Sequence, residues 1–222
     1  MKIALVGNQN SGKTSLFNIL TGTNQKIGNW PGVTIERKTG KIKDLGYDIV
    51  DLPGIYSLSP YTIEEEVSRK FVLEEKPEVI INIIDATSIE RSLYLTTQLM
   101  ELDSNVIIAL NMADRLEKKG INVDIEKMSK ELGLPIVKIS ALKQTGIEEL
   151  KEKIKQYNNT KLIKKDIFNS DIENEILKIA NELNVNRFIA IKILENDKNY
   201  QNYQNTYLYH SLVFLLVYYY FY

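Results

Sequence analysis

The chain has no cysteine and only one histidine, His210, among its 222 residues. The first absence excludes disulfides, thiolate metal sites and cysteine nucleophiles together. The second leaves little material for histidine-based metal or acid–base chemistry. Charge of either sign is also not in excess: 28 Lys and Arg against 29 Asp and Glu give a formal net charge of −1. That balance points to no nucleic-acid surface and no acidic partner. No signal peptide is expected, because Met1-Lys2-Ile3-Ala4-Leu5-Val6 runs straight into a glycine-bearing motif. A cysteine-free chain of this kind suits a reducing cytoplasm.

Apolar material is plentiful. Hydrophobic residues make up 44% and charged residues 26%, enough for one full α/β domain and a smaller appendage. Strands are expected at 2–6, 35–43, 48–51, 79–85, 105–111 and 135–139, with helices near 13–20, 64–75, 89–102, 125–132 and 147–156. Val79-Ile80-Ile81-Asn82-Ile83-Ile84 and Val106-Ile107-Ile108-Ala109-Leu110 are nearly continuously apolar, as strands covered on both faces must be. Segment 35–43 alternates and carries charge, which reads as an edge strand. The alternation predicts an α/β fold, a mostly parallel six-stranded sheet with helices on both faces and sites at the carboxyl ends of its strands. Beyond a polar stretch at 158–161, Ile172, Ile176, Ile179 and Leu183 share one helical face, and Phe188, Ile191 and Leu194 another. The expected organisation is an α/β domain at 1–160, a small helical appendage at 161–198 and an atypical apolar, aromatic tail at 199–222.

Gly7-Asn8-Gln9-Asn10-Ser11-Gly12-Lys13-Thr14 fits G-x-x-x-x-G-K-[ST], with a strand before it and a helix after it. The glycines let the backbone curl so that several N–H groups converge on phosphate oxygens, and the following helix turns its positive end to the same anion. Lys13 adds a mobile charge for the β- and γ-phosphates, and the Thr14 hydroxyl suits Mg²⁺. Gly7, Asn8, Gln9, Asn10, Ser11, Gly12, Lys13, Thr14 and Ser15 are the expected phosphate-binding set. Asp51-Leu52-Pro53-Gly54 follows the third strand. There Asp51 can hold Mg²⁺ through water, and the Gly54 N–H can approach the γ-phosphate with no side chain in the way.

Two strand-end loops carry the base-reading chemistry. In Asn111-Met112-Ala113-Asp114, the Asp114 carboxylate can accept two hydrogen bonds from guanine, whose ring N–H and exocyclic amine both donate. Adenine offers neither in that arrangement and would leave the carboxylate unpaired at ~1–3 kcal/mol or more. Asn111 would brace the loops, and in Ser140-Ala141-Leu142 the Ala141 N–H would meet the guanine oxygen. GTP and GDP are therefore preferred over ATP. Between the phosphate loop and the second strand, Gly32-Val33-Thr34 supplies a hydroxyl for Mg²⁺ and an N–H for the γ-phosphate only while that phosphate is present, the behaviour of a switch. Thr34 is the first choice there, with Thr23 and Thr39 as rivals.

The segments Gly28-Asn29-Trp30-Pro31-Gly32-Val33-Thr34, DLPGIYSLSP at 51–60, DATSIERSLYL at 85–95 and RFIAIKILEND at 187–197 resemble the cytosolic G domain and part of the helical spacer of the FeoB family of prokaryotic ferrous-iron transporters. The resemblance covers about residues 1–198. It implies a Ras-like P-loop GTPase fold, slow GTP hydrolysis and coupling to a membrane permease for Fe²⁺ that this chain does not contain. The chain would then act at the cytoplasmic face of the cell membrane. Two details bear on mechanism. Ile55 follows Gly54 where many GTPases carry a water-orienting glutamine, so that role falls to switch-loop backbone groups or to Thr34. Asn10 matches an asparagine that helps hold K⁺ beside the phosphates in potassium-stimulated relatives, where the fixed cation stabilises developing charge as an arginine finger does. The catalytic set is thus Lys13, Thr34, Gly54 and Asn10. Glu64-Glu65-Glu66 suit a helix N-terminus and need no catalytic role.

Past residue 198 the resemblance stops. Segment 206–222 lacks formal charge but is short for a span, which needs ~20 residues. Truncation or an altered reading frame, packing on the G domain or in a homo-oligomer, and membrane contact all remain open for it. A soluble GTPase of ribosome or RNA assembly shares the nucleotide motifs, but would bring a basic module that is missing here.

Overall fold

A computed structural model describes residues 1–23, 25–59, 61–102, 104–157 and 168–203. The tail from 204 onward, the connection at 158–167 and Asn24 at the start of the switch loop lie outside the described residues. The chain divides into two compact units, Met1–Lys165 and Asp166–Tyr222.

In the first unit seven strands form one sheet in the order β2-β3-β4-β1-β5-β6-β7. They are β1 (Lys2–Gly7), β2 (Gln25–Asn29), β3 (Glu36–Lys41), β4 (Asp48–Asp51), β5 (Val79–Asp85), β6 (Asn105–Asn111) and β7 (Ile136–Ile139). Strands β4, β1, β5, β6 and β7 are mutually parallel, while β3 runs antiparallel to β4 and β2 antiparallel to β3. The register places Leu5 beside Asp51, Gly7 beside Ile83, and Asp85 beside Asn111. Gly7, Asp51 and Asn111 therefore end up together at the carboxyl edge of the sheet, where an open α/β sheet builds its site.

The expected sheet had six strands with 35–43 at its edge; it has seven, and β2 is the edge. The reason is chemical. β2 carries one apolar side chain, Ile27, and that side chain is 66% exposed. The strand is held by backbone pairing with β3, from Gln25 opposite Gly40 to Asn29 opposite Glu36, so no hydrophobic period marks it.

Helices cover both faces. Leu16, Phe17 and Leu20 of α1 (Lys13–Thr21) and Leu150 and Ile154 of α6 (Ile147–Gln156) share a core with Ile3, Leu5, Ile81, Ile83, Ile107 and Val137. Successive strand side chains alternate faces, so Asn82 points the other way, where its amide donates to Thr96 Oγ1 of α3 (Ile89–Met100) at 2.7 Å. Helix α2 (Ile63–Lys70) opens with a capping box: Thr62 accepts from the Glu65 N–H, and the Glu65 carboxylate accepts from the Thr62 N–H. The acidic run is thus a helix start, as its composition indicates. The helix does not run unbroken to residue 75, because Phe71–Glu75 forms a π turn. That wider turn separates successive side chains by a smaller angle, and the adjacent Phe71 and Val72 are both buried. Short α4 (Ala113–Glu117) and α5 (Ile125–Leu132) complete the unit.

In the second unit, α7 (Ser170–Leu183) and α8 (Arg187–Leu194) bring Ile176 and Ile179 against Ala190, Ile191 and Ile193. Glu173 binds both terminal nitrogens of Arg187, at 2.5 and 2.8 Å. Ile172 and Leu194, expected on the packed faces, lie exposed. Among the described residues no helix is long and apolar enough to cross a membrane.

Candidate functional site

Between β1 and α1 the backbone makes a tight loop. Asn10 has φ 62° and Gly12 has φ 92°. A Cβ on Gly12 would fall 2.3 Å from Asn111 Nδ2, so both conformation and space demand glycine. No side chain caps α1 and its first turn holds no acid, which leaves its N–H groups and dipole for an anion. A cavity of about 560 Å³ lies in front of it, lined by Asn8, Gln9, Asn10, Gly12, Lys13, Thr14, Ser15, Gly54 and Met112. Every residue of the expected phosphate set except Gly7 and the buried Ser11 borders it.

Lys13 Nζ lies 2.5 Å from Asp51 Oδ1, with both side chains nearly buried. Burial pushes the Asp51 carboxyl above the ordinary carboxylate range, more than the adjacent Lys13 ammonium pulls it down. The pair joins the phosphate loop to the end of β4. Thr14 and Asp51 offer hard oxygen donors, the set that suits Mg²⁺. Gly54 approaches the loop so closely that a Cβ there would sit 2.9 Å from Gln9 Cγ and 3.1 Å from Gln9 Cα. Ile55 turns into the core at 1% exposure, with its N–H donating to the Gly7 carbonyl at 3.1 Å. Its side chain is a core group and does not line the cavity.

The base-reading loops are tied to the phosphate loop by one amide. Asn111 Nδ2 donates to the Ser11 carbonyl at 2.9 Å, and Asn111 Oδ1 accepts from the Ala141 N–H at 3.0 Å. Asn111 thus links the Ser11 and Ala141 segments directly. The Ala141 N–H, assigned from sequence to a guanine oxygen, is engaged by Asn111, so a base carbonyl must share that donor. Met112, at φ 63°, caps the start of α4, and Asp114 sits in the first turn. Ser140 Oγ accepts from the Lys143 N–H, while Leu142 is exposed. Lys143 is a neighbour of Asp114 that sequence reasoning did not single out. Its Nζ lies 3.0 Å from Asp114 Oδ2, and this hydrogen bond holds the Asp114 carboxyl below the ordinary range. The signal was one position past the segment read.

Gly32, Val33 and Thr34 do not border the cavity, and Thr34 is exposed. The rivals fare no better: Thr39 pairs within β3, and Thr23 is exposed. The loop's position has a cause. The Trp30 N–H donates to the Ile35 carbonyl at 2.9 Å, closing the loop at its base. Trp30 is buried, meets Phe71 edge-on at 5.5 Å and lies under the Arg37 guanidinium at 4.7 Å. It is a packing anchor.

The comparisons with known proteins point to one family. The family model for ferrous iron transport protein B matches residues 1–154. The Fe(2+) transporter FeoB of Escherichia coli K12 is 38% identical over 209 residues, covering 89% of this chain and 27% of that protein. The FeoB of Salmonella choleraesuis is 44% identical over 164 residues, 71% of this chain and 21% of that protein. This chain thus spans about a quarter of the length of the curated relatives it matches. Among solved structures, a point mutant of S. thermophilus NFeoB bound to GDP superposes with a TM-score of 0.82 at 46% identity, covering 91% of this chain and 82% of that one. The cytosolic domain of the T. maritima FeoB iron transporter in its GMPPNP form gives 0.84 at 38% identity, covering 91% and 84%. The chain belongs to the ferrous iron transport protein B family and carries its G domain, a Ras-like P-loop GTPase fold.

Proposed function

We propose that this G domain binds GTP and GDP in the cavity before α1, hydrolyses GTP slowly with Mg²⁺ and K⁺, and signals its nucleotide state to the membrane permease portion of a ferrous-iron transporter. The observation that carries the reading is the Asn111 clamp. One side chain joins the phosphate loop at Ser11 to the base-reading loop at Ala141, so the two ends of a nucleotide are gripped by one connected framework. GDP-bound and GMPPNP-form relatives of the same fold support the choice of ligand.

In this reading Lys13 moves from Asp51 to the β- and γ-phosphates when the triphosphate enters. Thr14, Asp51 and Thr34 would hold Mg²⁺, which when bound would supply charge neutralisation at the phosphates. Gly54 offers its N–H to the γ-phosphate, and Thr34 swings in with Gly32 and Val33 to complete the grip. Asn10, exposed at the cavity rim, contributes its amide oxygen to K⁺. Asp114 reads guanine, with Met112, Ser140, Ala141 and Leu142 around the base. Residues 161–198 serve as part of the family's helical spacer, which places the chain at the cytoplasmic face of the membrane. The RNA-assembly alternative has no observation in its favour.

The test is GTP hydrolysis in K⁺ and in Na⁺, with ATP as control and Asn10→Ala alongside. Turnover should stay well below ~1 s⁻¹ without K⁺, rise in K⁺, and lose that rise in Asn10→Ala. Equal rates in the two salts remove K⁺ from the mechanism. Absence of GTP and GDP binding with Mg²⁺ present removes the whole reading.

A further inference from the structure

We infer that Gln98, on α3 and outside the nucleotide motifs, is a positioning residue for the γ-phosphate contact at Gly54; the inference rests on the GTPase reading above. After Gly54 the chain runs through Ile55 to Ser57 and Leu58 before α2 begins. The Ile55 N–H holds the start of that run to the Gly7 carbonyl at 3.1 Å, and Gln98 holds its far end. Gln98 Oε1 accepts from the Leu58 N–H at 2.6 Å and from the Ser57 hydroxyl at 3.2 Å. Ser57 Oγ in turn accepts from the Ser59 N–H at 2.8 Å. Gln98 is 7% exposed and Leu58 is fully buried, so water is a poor substitute for this acceptor.

The same helix also holds the phosphate loop. Asn8 Nδ2 donates to Ser92 Oγ at 3.2 Å, and Ser92 Oγ donates to the Ser88 carbonyl at 3.1 Å. Thr96, one turn later, is fixed by Asn82 of β5 and by the Ser92 carbonyl. One rigid element therefore anchors both sides of the narrow place where Gly54 meets Gln9. On the N-terminal side of the Gly54 segment, the Leu52 N–H donates to the Leu5 carbonyl at 3.1 Å. On the far side the Ile55 N–H donates to the Gly7 carbonyl at 3.1 Å, and the next hydrogen-bonded fastening is Gln98. Without Gln98, the segment beyond Ile55 is released and the aim of the Gly54 N–H loosens, and contacts of this type depend on pre-set geometry.

GDP has no γ-phosphate, so it separates a positioning role from a general structural one. In Gln98→Met, which keeps the side-chain length and removes the acceptor, kcat for GTP should fall on the order of tenfold while GDP affinity stays within about twofold. Gln98→Glu keeps an acceptor oxygen where Gln98 Oε1 stands and replaces only Nε2, which has no hydrogen-bond partner; it should recover most of the rate. Ser57→Ala, which removes one of the two donors and leaves a small space, should show the same pattern more weakly, and it decides the matter if Gln98→Met fails to fold. Parallel loss of GDP and GTP affinity in Ser57→Ala and Gln98→Met, or unchanged hydrolysis in both, overturns the inference. A wild-type protein that never hydrolyses GTP instead overturns the function on which it rests.

Discussion

Asn111→Ala offers a test of whether the base-reading loop is braced before any nucleotide arrives. The Asn111 amide spans from Ser11 to Ala141 and is 2% exposed. Truncation leaves the Ser11 carbonyl and the Ala141 N–H buried without these partners, at ~1–3 kcal/mol each. The two together come to ~2–6 kcal/mol, towards the lower end if water fills the vacated space. In a protein of this size each kcal/mol is worth about 2–4 °C in Tm, so the variant should unfold at least ~4 °C lower. The measurement is thermal unfolding by circular dichroism with no nucleotide present, paired with GDP affinity by calorimetry. Bracing predicts that both fall. An unchanged Tm with lost GDP affinity would mean that Asn111 serves the base alone, and the clamp would be refuted.

Asp114→Asn should lower GTP affinity by ~10–100-fold, the cost of leaving guanine donors unpaired, and should raise affinity for xanthine nucleotides; unchanged GTP binding would show that another group reads the base. Asp51 gives a pH signature. Its folded pKa is raised by burial, so its favourable contribution is present below the ordinary carboxylate pKa and is lost as pH rises through its own. The Tm of nucleotide-free Asp51→Asn, relative to wild type, should therefore climb as pH rises from the ordinary carboxylate range upward, while Mg²⁺-dependent GTP binding weakens. A difference that stays flat over that range would mean that Lys13 fully offsets the burial.

The parts of the fold that bury apolar surface on a regular period were legible. Strands β1, β5 and β6 and helices α1, α3 and α6 stand where hydrophobic spacing puts them, because every one packs a stripe or both faces into the core. Strand β2 was not legible, since backbone pairing alone holds it. Trp30 was missed for the opposite reason: its burial depends on Phe71, 41 positions away by residue number, a distance no local window spans. The phosphate loop was readable because the chemistry of anion binding restricts both residue type and spacing. Lys143 and Gln98 escaped notice because each acts through a contact that only the folded chain creates. Thr34 shows the limit of motif logic: a motif nominates a group, and the closed base of its loop decides where that group rests.

Trp30 is also the only tryptophan of the chain, pressed between an aromatic ring and a guanidinium at the root of the loop that carries Thr34. All indole emission from this protein thus originates at the base of one loop. The backbone Trp30 N–H ties that base to Ile35, so a movement of Thr34 that opens the tie or shifts the base should change the ring's surroundings. If the proposed loop closure occurs, intrinsic fluorescence is expected to report it in real time without a dye or a label.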